Sequence, residues 1–306
     1  MIEGQEDVTW EDWVALAEAC ECSGIETLFR SDHYLSVVGR HGRGSLDAWG
    51  TISALAAITS ALRLGTLVSP VTFRHPSVLA KAAVTADHIS GGERIELGIG
   101  AGWLEDEHSA YGFPFPATGE RMQMLVEQVE IVRREWSERD LTFDGEHYRL
   151  DDLDALPKPL RSPNLIVGGK ARPRTVSIAV RWADEYNLSM VGIEECRERR
   201  RDLIEACERA GREPLTVSLM TGSLIGADEA DLADRARRLA ELRGEEARDT
   251  DAFIAALPDH WIVGTLEQVR ERVAELEEAG VERVMLQHLL HRDLEGVALL
   301  AELARA

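Results

Sequence analysis

The stretch Arg63–Trp103, RLGTLVSPVTFRHPSVLAKAAVTADHISGGERIELGIGAGW, restricts the fold more than any other part of the chain. Its apolar run Leu64–Val68 leads into a polar turn, and Pro76 then stands where a first helical residue belongs. An Ala-rich periodic segment continues to Ser90, Gly91-Gly92 halts it, and a second apolar run, Ile95–Ile99, ends in Gly100-Ala101-Gly102. Proline just inside a helix and glycine just past its end mark the two boundaries. Strand, loop, helix and strand in that order demand a parallel pair joined by a right-handed crossover.

The same rhythm recurs along the chain. Thr9 with Asp12 is a capping-box pattern that opens a helix ending at Gly24. Ile25–Arg30 reads as a strand ending in Ser31-Asp32-His33-Tyr34, and the loop Gly39–Gly44 precedes a helix over Leu46–Ala61. After Trp103 comes an aromatic- and proline-bearing loop, then a helix capped by Thr118 that runs to about Ser137. Leu141–Leu150 alternates around Asp144-Gly145, a hairpin signal that interrupts the rhythm. Residues 136–163 therefore read as an excursion between the fourth and fifth strands.

Strands are expected again at Asn164–Val167, Glu185–Met190, Leu215–Leu219 and Val281–Gln287. The helices between and after them open at Pro173, span Glu194–Ala210, cover the acidic stretch from Asp228 to about Ala256, start at the Thr265/Gln268 capping box, and close the chain over Leu294–Arg305. With Met1–Gln5 counted as a shortened first strand, eight strands each precede a helix. Such a series closes most economically into a TIM (β/α)8 barrel, one domain over residues 1–306, with an open doubly wound sheet as the other arrangement.

Charge excludes whole classes of partner. With 34 basic and 55 acidic residues the chain carries a net charge of −21, the opposite of the basic footprint that nucleic acid or an anionic membrane surface requires. No apolar run approaches the roughly 20 residues that span a bilayer. The acidic N-terminus and four scattered cysteines point to a cytoplasmic protein without a disulfide framework. His288 and His291 lack a nearby third ligand, so no metal site is expected.

Active sites of such barrels lie at the C-terminal ends of the strands. The ends here gather Gln5, Asp32-His33, Ser69–Arg74, Gly100–Trp103, Gly168–Lys170, Asn187–Ser189, Thr221 and His288. Gly168-Gly169-Lys170-Ala171-Arg172-Pro173-Arg174 is the best anion candidate. Its glycines admit close approach, Pro173 starts a helix whose free N–H groups face the loop, and three cations stand within five residues. A phosphate-bearing cofactor fits it. His33, directly after a strand and beside Asp32, is a candidate proton-transfer group; a structural hydrogen-bonding role is the plainer alternative.

Together MIEGQ, LFRSDHY, LGTLVSPVTFRHP, ELGIGAGWLEDEHSAYGFPFP, FDGEHYRL, IVGGK and HWIVGTLEQV resemble the luciferase-like monooxygenase superfamily, in particular its coenzyme F420-dependent branch. The resemblance implies a TIM barrel with an inserted segment, a homodimer, and F420 or alternatively FMN at the strand C-termini. It also implies a first strand entered from further upstream. Carried over by position, His33 is the histidine beside the ring, with Asp32 next to it. Leu67-Val68 falls at a non-proline cis peptide in a bulge that backs the ring, with Ser69 following. Gly100, Ala101 and Gly102 would line the ring or its side chain, and Gly168, Gly169, Lys170, Arg172 and Arg174 the phosphate. Trp103 departs from the catalytic glutamate of the family's sugar-phosphate dehydrogenases, which argues against a sugar-phosphate substrate; Glu105 and Glu107 lie nearby without an assigned direction. The activity implied is F420-dependent hydride transfer to or from a small organic substrate, with His33 relaying a proton. The alternatives are an FMN-dependent monooxygenase fed by NAD(P)H-derived reduced flavin and oxygen, and a barrel that binds such a ligand without turnover.

Overall fold

The computed structural model describes residues 1–38 and 42–303. Part of the loop expected at Gly39–Gly44, and the end of the helix expected to reach Arg305, lie outside the described residues. In chain order the elements are α1 (Trp10–Ser23), β1 (Thr27–Arg30), α2 (Ala48–Ile58), β2 (Arg63–Pro70), α3 (Pro76–Ser90), β3 (Ile95–Gly100), α4 (Glu105–Tyr111) and α5 (Thr118–Ser137). There follow β4 (Leu141–Asp144), β5 (Arg149–Leu153), β6 (Asn164–Gly169), α6 (Pro173–Trp182), β7 (Glu185–Ser189), α7 (Ile193–Ala210) and β8 (Thr216–Gly226). The last are α8 (Glu229–Arg243), α9 (Thr250–Ala255), β9 (Ile262–Thr265), α10 (Leu266–Glu278), β10 (Arg283–Gln287) and α11 (Leu294–Leu303).

The main sheet runs β1-β2-β3-β6-β7-β8-β10, every pair parallel. The first two residues join its outer edges. Ile2 exchanges main-chain bonds with β1 through Phe29 O at 2.9 Å and Ser31 N at 3.1 Å, while the Met1 carbonyl accepts from His288 N–H just beyond β10 at 2.9 Å. The Met1 amine donates to Leu286 O at 3.0 Å. The architecture is the TIM barrel, with helices outside the strands. Strands buried on both faces read as unbroken apolar runs rather than alternating ones, and β3 is buried at all six positions.

Local chemistry explains most boundaries. Thr9 and Asp12 form the reciprocal capping box of α1, and Gly24 ends it in the left-handed conformation at φ 82°. Pro76 begins α3, and Gly91 ends it at φ 81°. Thr118 does not cap α5: the N-cap is Ala117, whose side chain can accept no bond, and Thr118 is the first helical residue. The expected acidic helix beyond Asp228 is two helices, because Gly244 stops α8 at φ 75°. β8 is longer than its apolar core suggests. Its second half, Ser223–Gly226, leaves the barrel to pair with β9, a strand hidden in sequence ahead of the Thr265 helix start.

β4 and β5 form a separate antiparallel pair off the barrel. Their loop is the four residues between Asp144 and Arg149, rather than a tight Asp-Gly turn. The Glu127 carboxylate on α5 accepts from the N–H groups of Glu146, His147 and Tyr148 at 2.8–3.0 Å and holds this wider loop open.

The N-terminal end of the barrel is closed by a charged cluster to which all seven sheet strands contribute. Arg283 of β10 reaches Glu96 of β3 at 2.9 and 3.0 Å, Glu185 of β7 at 2.5 Å and Thr27 of β1 at 3.3 Å. Arg63 of β2 donates to Glu96 at 2.8 Å, Asn164 of β6 to both carboxylates at 2.9 and 3.1 Å, and Ser218 of β8 to Glu185 at 2.5 Å. Burial would raise the Glu96 pKa, but the Arg283 hydrogen bonds and charge, helped by Arg63 and Asn164, hold it below the usual 4.5. Its stabilising contribution is therefore complete above pH 4.5 and is lost as pH falls through the lowered value. Arg283→Met, which leaves the buried Glu185 carboxylate without a cation and Glu96 with Arg63 alone, is expected to cost about 3–5 kcal/mol in urea unfolding at pH 7. The loss should shrink as pH falls through the lowered Glu96 value.

Candidate active site

At the opposite, C-terminal end of the strands a cavity of about 740 Å³ opens, within the usual few-hundred to 1,000 Å³ range for small-ligand sites. Eight of the residues given a role by the family resemblance line it, His33, Leu67, Val68, Gly100, Ala101, Gly102, Gly168 and Gly169, and so do Pro70, Trp103, Asn187 and Ser189 from the expected strand ends. The eight arrive from β1, β2, β3 and β6, strands far apart in the chain but adjacent in the sheet.

The glycines are needed first for packing. The β2/β3 register shifts between Thr66 and Ser69, and the Leu67–Val68 peptide within that shift is cis. Val68 thereby stands over its neighbours. A Cβ on Gly100 would lie 2.6 Å from Val68 Cγ2, and one on Gly168 2.9 Å from Val68 Cγ1. Gly98 is closed instead by backbone, its virtual Cβ falling 2.4 Å from Thr66 O. Gly100 and Gly168 thus seat the Val68 side chain, which in turn forms a wall of the cavity.

His33 lines the cavity and is held there by a carboxylate. Its Nδ1 lies 2.9 Å from Glu107 Oε2, on a side chain that α4 buries completely. The other Glu107 oxygen accepts the N–H groups of Leu35, at 3.2 Å, and Tyr34. A carboxylate partner requires a proton on Nδ1, leaving Nε2 for the cavity; no partner occupies Nε2 among the described residues. Burial alone would lower the imidazole pKa, but the hydrogen bond and charge of Glu107, with the charges of Glu3 and Asp32, leave it raised. The Trp103 indole packs edge-on to His33 with centroids 5.7 Å apart.

Five expected site residues are not brought to the cavity. Asp32 is buried beneath it, held by Arg74 at 2.5 and 3.2 Å and by the Ser69 hydroxyl at 2.6 Å. Ser69 also receives the Trp49 indole N–H at 3.1 Å, so both residues belong to a supporting network under the bulge. Lys170, Arg172 and Arg174 are exposed. Arg172 borders a groove between α6 and α7, and Arg174 one between α5 and α6. The turn at Ala171, φ 45°, with its N–H bonded to the Tyr186 hydroxyl at 2.9 Å, carries the chain outward immediately after Gly169. His288 is structural: it is buried against the Asp293 carbonyl at 3.1 Å, and burial pushes its pKa down to about 4.

Asn187, expected at a strand end, lines the cavity and donates to Ser218 at 2.9 Å. Sequence reasoning left other lining residues unassigned. Glu3 accepts from Gln5 at 2.6 Å and from Gln287. Met122, Met190 and Met220 add adaptable apolar wall. Arg243 and Trp261 come from the α8–β9 segment, where no strand signal had been recognised. Glu107 itself was recoverable as the third residue of an acidic helix start, Glu105-Asp106-Glu107.

A parallel α/β barrel with a cavity at its strand C-termini and a carboxylate-fixed histidine opening on it is the architecture of a small-molecule enzyme. The chain belongs to the luciferase-like monooxygenase family, whose model matches residues 2–283, and is an oxidoreductase of that family. It is 28% identical over 224 residues to the F420-dependent hydroxymycolic acid dehydrogenase of Mycobacterium tuberculosis, a match covering 71% of this chain and 60% of that one. It is 25% identical over 295 residues to the FMNH(2)-dependent dimethylsulfone monooxygenase of Pseudomonas fluorescens, covering 88% and 80%. In fold it is similar to an F420-dependent secondary alcohol dehydrogenase solved with an F420-acetone adduct, with TM-score 0.78, 18% identity, and coverage of 96% of each chain.

If Val68 is what the glycines serve, Gly100→Ala should destabilise the protein by about 1–3 kcal/mol through overpacking. Val68→Ala in the same chain should recover most of that loss, read as a non-additive double-mutant cycle in urea unfolding.

Proposed function

We propose that the protein is an F420-dependent oxidoreductase that transfers a hydride to or from a carbonyl or alcohol carbon of a small organic substrate, with His33 as the proton relay. The observation that carries this reading is the His33–Glu107 pair, with one imidazole nitrogen fixed and the other left to the cavity. Interconversion of an alcohol and a carbonyl needs one proton beside each hydride, and a single anchored histidine supplies that path.

The cavity fits a planar, phosphate-tailed group. Leu67 and Val68 offer a flat apolar wall, Ala101 and Gly102 leave room beside it, and Gly168-Gly169 with Thr175 set the start of α6 at its edge. Main-chain N–H groups there, rather than Arg172 or Arg174, would receive the phosphate. When bound, the deazaflavin supplies the hydride-accepting or hydride-donating ring carbon; the protein positions it and excludes water. His33 Nε2 takes the hydroxyl proton in oxidation and returns it in reduction. Glu107 holds the ring orientation and stabilises the imidazolium. Asp32, clamped by Arg74, adds negative potential from below.

The second reading is an FMN-dependent monooxygenase. It draws on the similarity over most of both chains to the FMNH(2)-dependent enzyme. The exposed apolar side chains Ile58, Val78 and Ile89 on neighbouring α2 and α3 support the homodimer and give it a face. A cytoplasmic location completes the reading; among the described residues no helix is long and apolar enough to cross a membrane.

Fluorescence titration of the purified protein separates the two. Tight F420 binding with weak or no FMN binding is the expected result, whereas FMN binding with oxygen consumption would replace the first reading by the second. His33→Ala is expected to leave F420 affinity within a few-fold and to lower kcat by about 10²–10⁴. Because Glu107 raises the His33 pKa, the acid limb of alcohol oxidation should lie above the ordinary imidazole value of 6.5. Glu107→Gln should move that limb to lower pH, and an unmoved pH profile would remove the pair from the mechanism.

A further inference from the structure

We infer that the cavity is built for a substrate bearing a carboxylate on an apolar body, and that Arg243 is the residue that reads the carboxylate. Resting on the hydride-transfer reading for its chemistry, this names the substrate class.

Arg243 is the one arginine or lysine among the described residues lining the cavity. Its guanidinium is positioned by aromatic rings, 4.9 Å from the centroid of Trp261 and 6.0 Å from that of Phe253. It has no carboxylate or hydrogen-bond partner among the described residues. By contrast, the buried arginines all have partners, Arg235 carboxylates and Arg30, Arg94 and Arg121 carbonyl or hydroxyl oxygens, and the partly buried Arg43, Arg74 and Arg283 pair with carboxylates. A cation held over aromatic faces keeps its N–H groups free, and a guanidinium so placed can receive a carboxylate through two parallel bonds.

Position assigns the group to substrate rather than cofactor. In the strand order β1-β2-β3-β6-β7-β8-β10, the α8–β9 segment follows β8, four strands from β2 and thus across the barrel mouth from the Val68 wall. Gly168 and Gly169, where the cofactor phosphate is placed, stand two strands away from β8 on β6. A ring lying against Val68 leaves Arg243 on the far side of the space, together with Val37, Val38, Trp261 and Leu289, which form one apolar cluster. These walls suit an apolar body. Glu3 and Glu245 also line the cavity, so a single guanidinium balances a monoanion and would leave a dianionic phosphate facing two carboxylates.

The test is made on the full-length protein, first without and then with bound F420, using tryptophan fluorescence to follow matched probes: 4-formylbenzoate against 4-formylbenzamide, and 6-oxoheptanoate against its amide. Each carboxylate is expected to bind about 10–100-fold tighter than its amide, the worth of one charged hydrogen-bonded contact. Rising salt should shrink the difference. Arg243→Gln should abolish the preference while F420 affinity stays within two-fold, and Arg243→Lys should restore part of it. Equal binding of acid and amide by the wild type, or a preference that survives Arg243→Gln, overturns the inference. A large loss of F420 affinity in Arg243→Gln with the carboxylate preference intact also overturns it, by giving the residue to the cofactor tail. Failure of F420 to bind the wild type refutes the proposed cofactor, yet the measurement on cofactor-free protein still decides the role of Arg243.

Discussion

The structure depends on one cluster, the guanidinium of Arg283 between the carboxylates of Glu96 and Glu185 at the closed end of the barrel. Thr27, Arg63, Asn164 and Ser218 complete it, so each of the seven sheet strands commits one side chain to a single network. Buried charges tolerate little displacement, because each lost contact leaves a desolvated ion without compensation. The cluster therefore fixes strand register at one end, and register fixes which residues reach the other end. The strand tips holding His33, Val68, Gly100 and Gly168 converge because their opposite ends are pinned together.

The mouth is organised on a different principle. Its polar groups are arranged in tiers: Glu107 sets His33, Arg74 sets Asp32, and Asp32 in turn holds the Ser69 hydroxyl below the bulge. The tier that touches the cavity is sparse and the tier behind it is densely bonded, as a preorganised site requires. The similarities to F420-dependent and FMN-dependent enzymes agree with such a division, in which a cofactor supplies the redox chemistry and the barrel supplies placement.

Much of the fold was legible because its signals are local. Pro76, Gly91 and the Thr9/Asp12 pair declare helix ends within a few residues, and buried parallel strands such as Ile95–Gly100 are simply apolar. β9 was not legible, since a four-residue strand has no period of its own and exists only because β8 overruns the barrel to pair with it. In the site, His33 and the glycines could be found from their place at strand ends. The direction of Lys170, Arg172 and Arg174 could not, because it turns on the left-handed backbone at Ala171, a residue whose identity gives no hint of it. Asp32 and Ser69 were placed one layer too high for a related reason. A residue beside a strand tip faces either the cavity or the packing beneath it, and only tertiary contacts such as Arg74 decide which.

The bulge at Leu67–Val68 has a consequence for descent. Val68 occupies the volume that side chains at positions 100 and 168 would need. The order of change is thus constrained: side chains at 100 and 168 fit only in a lineage whose residue 68 has first become smaller.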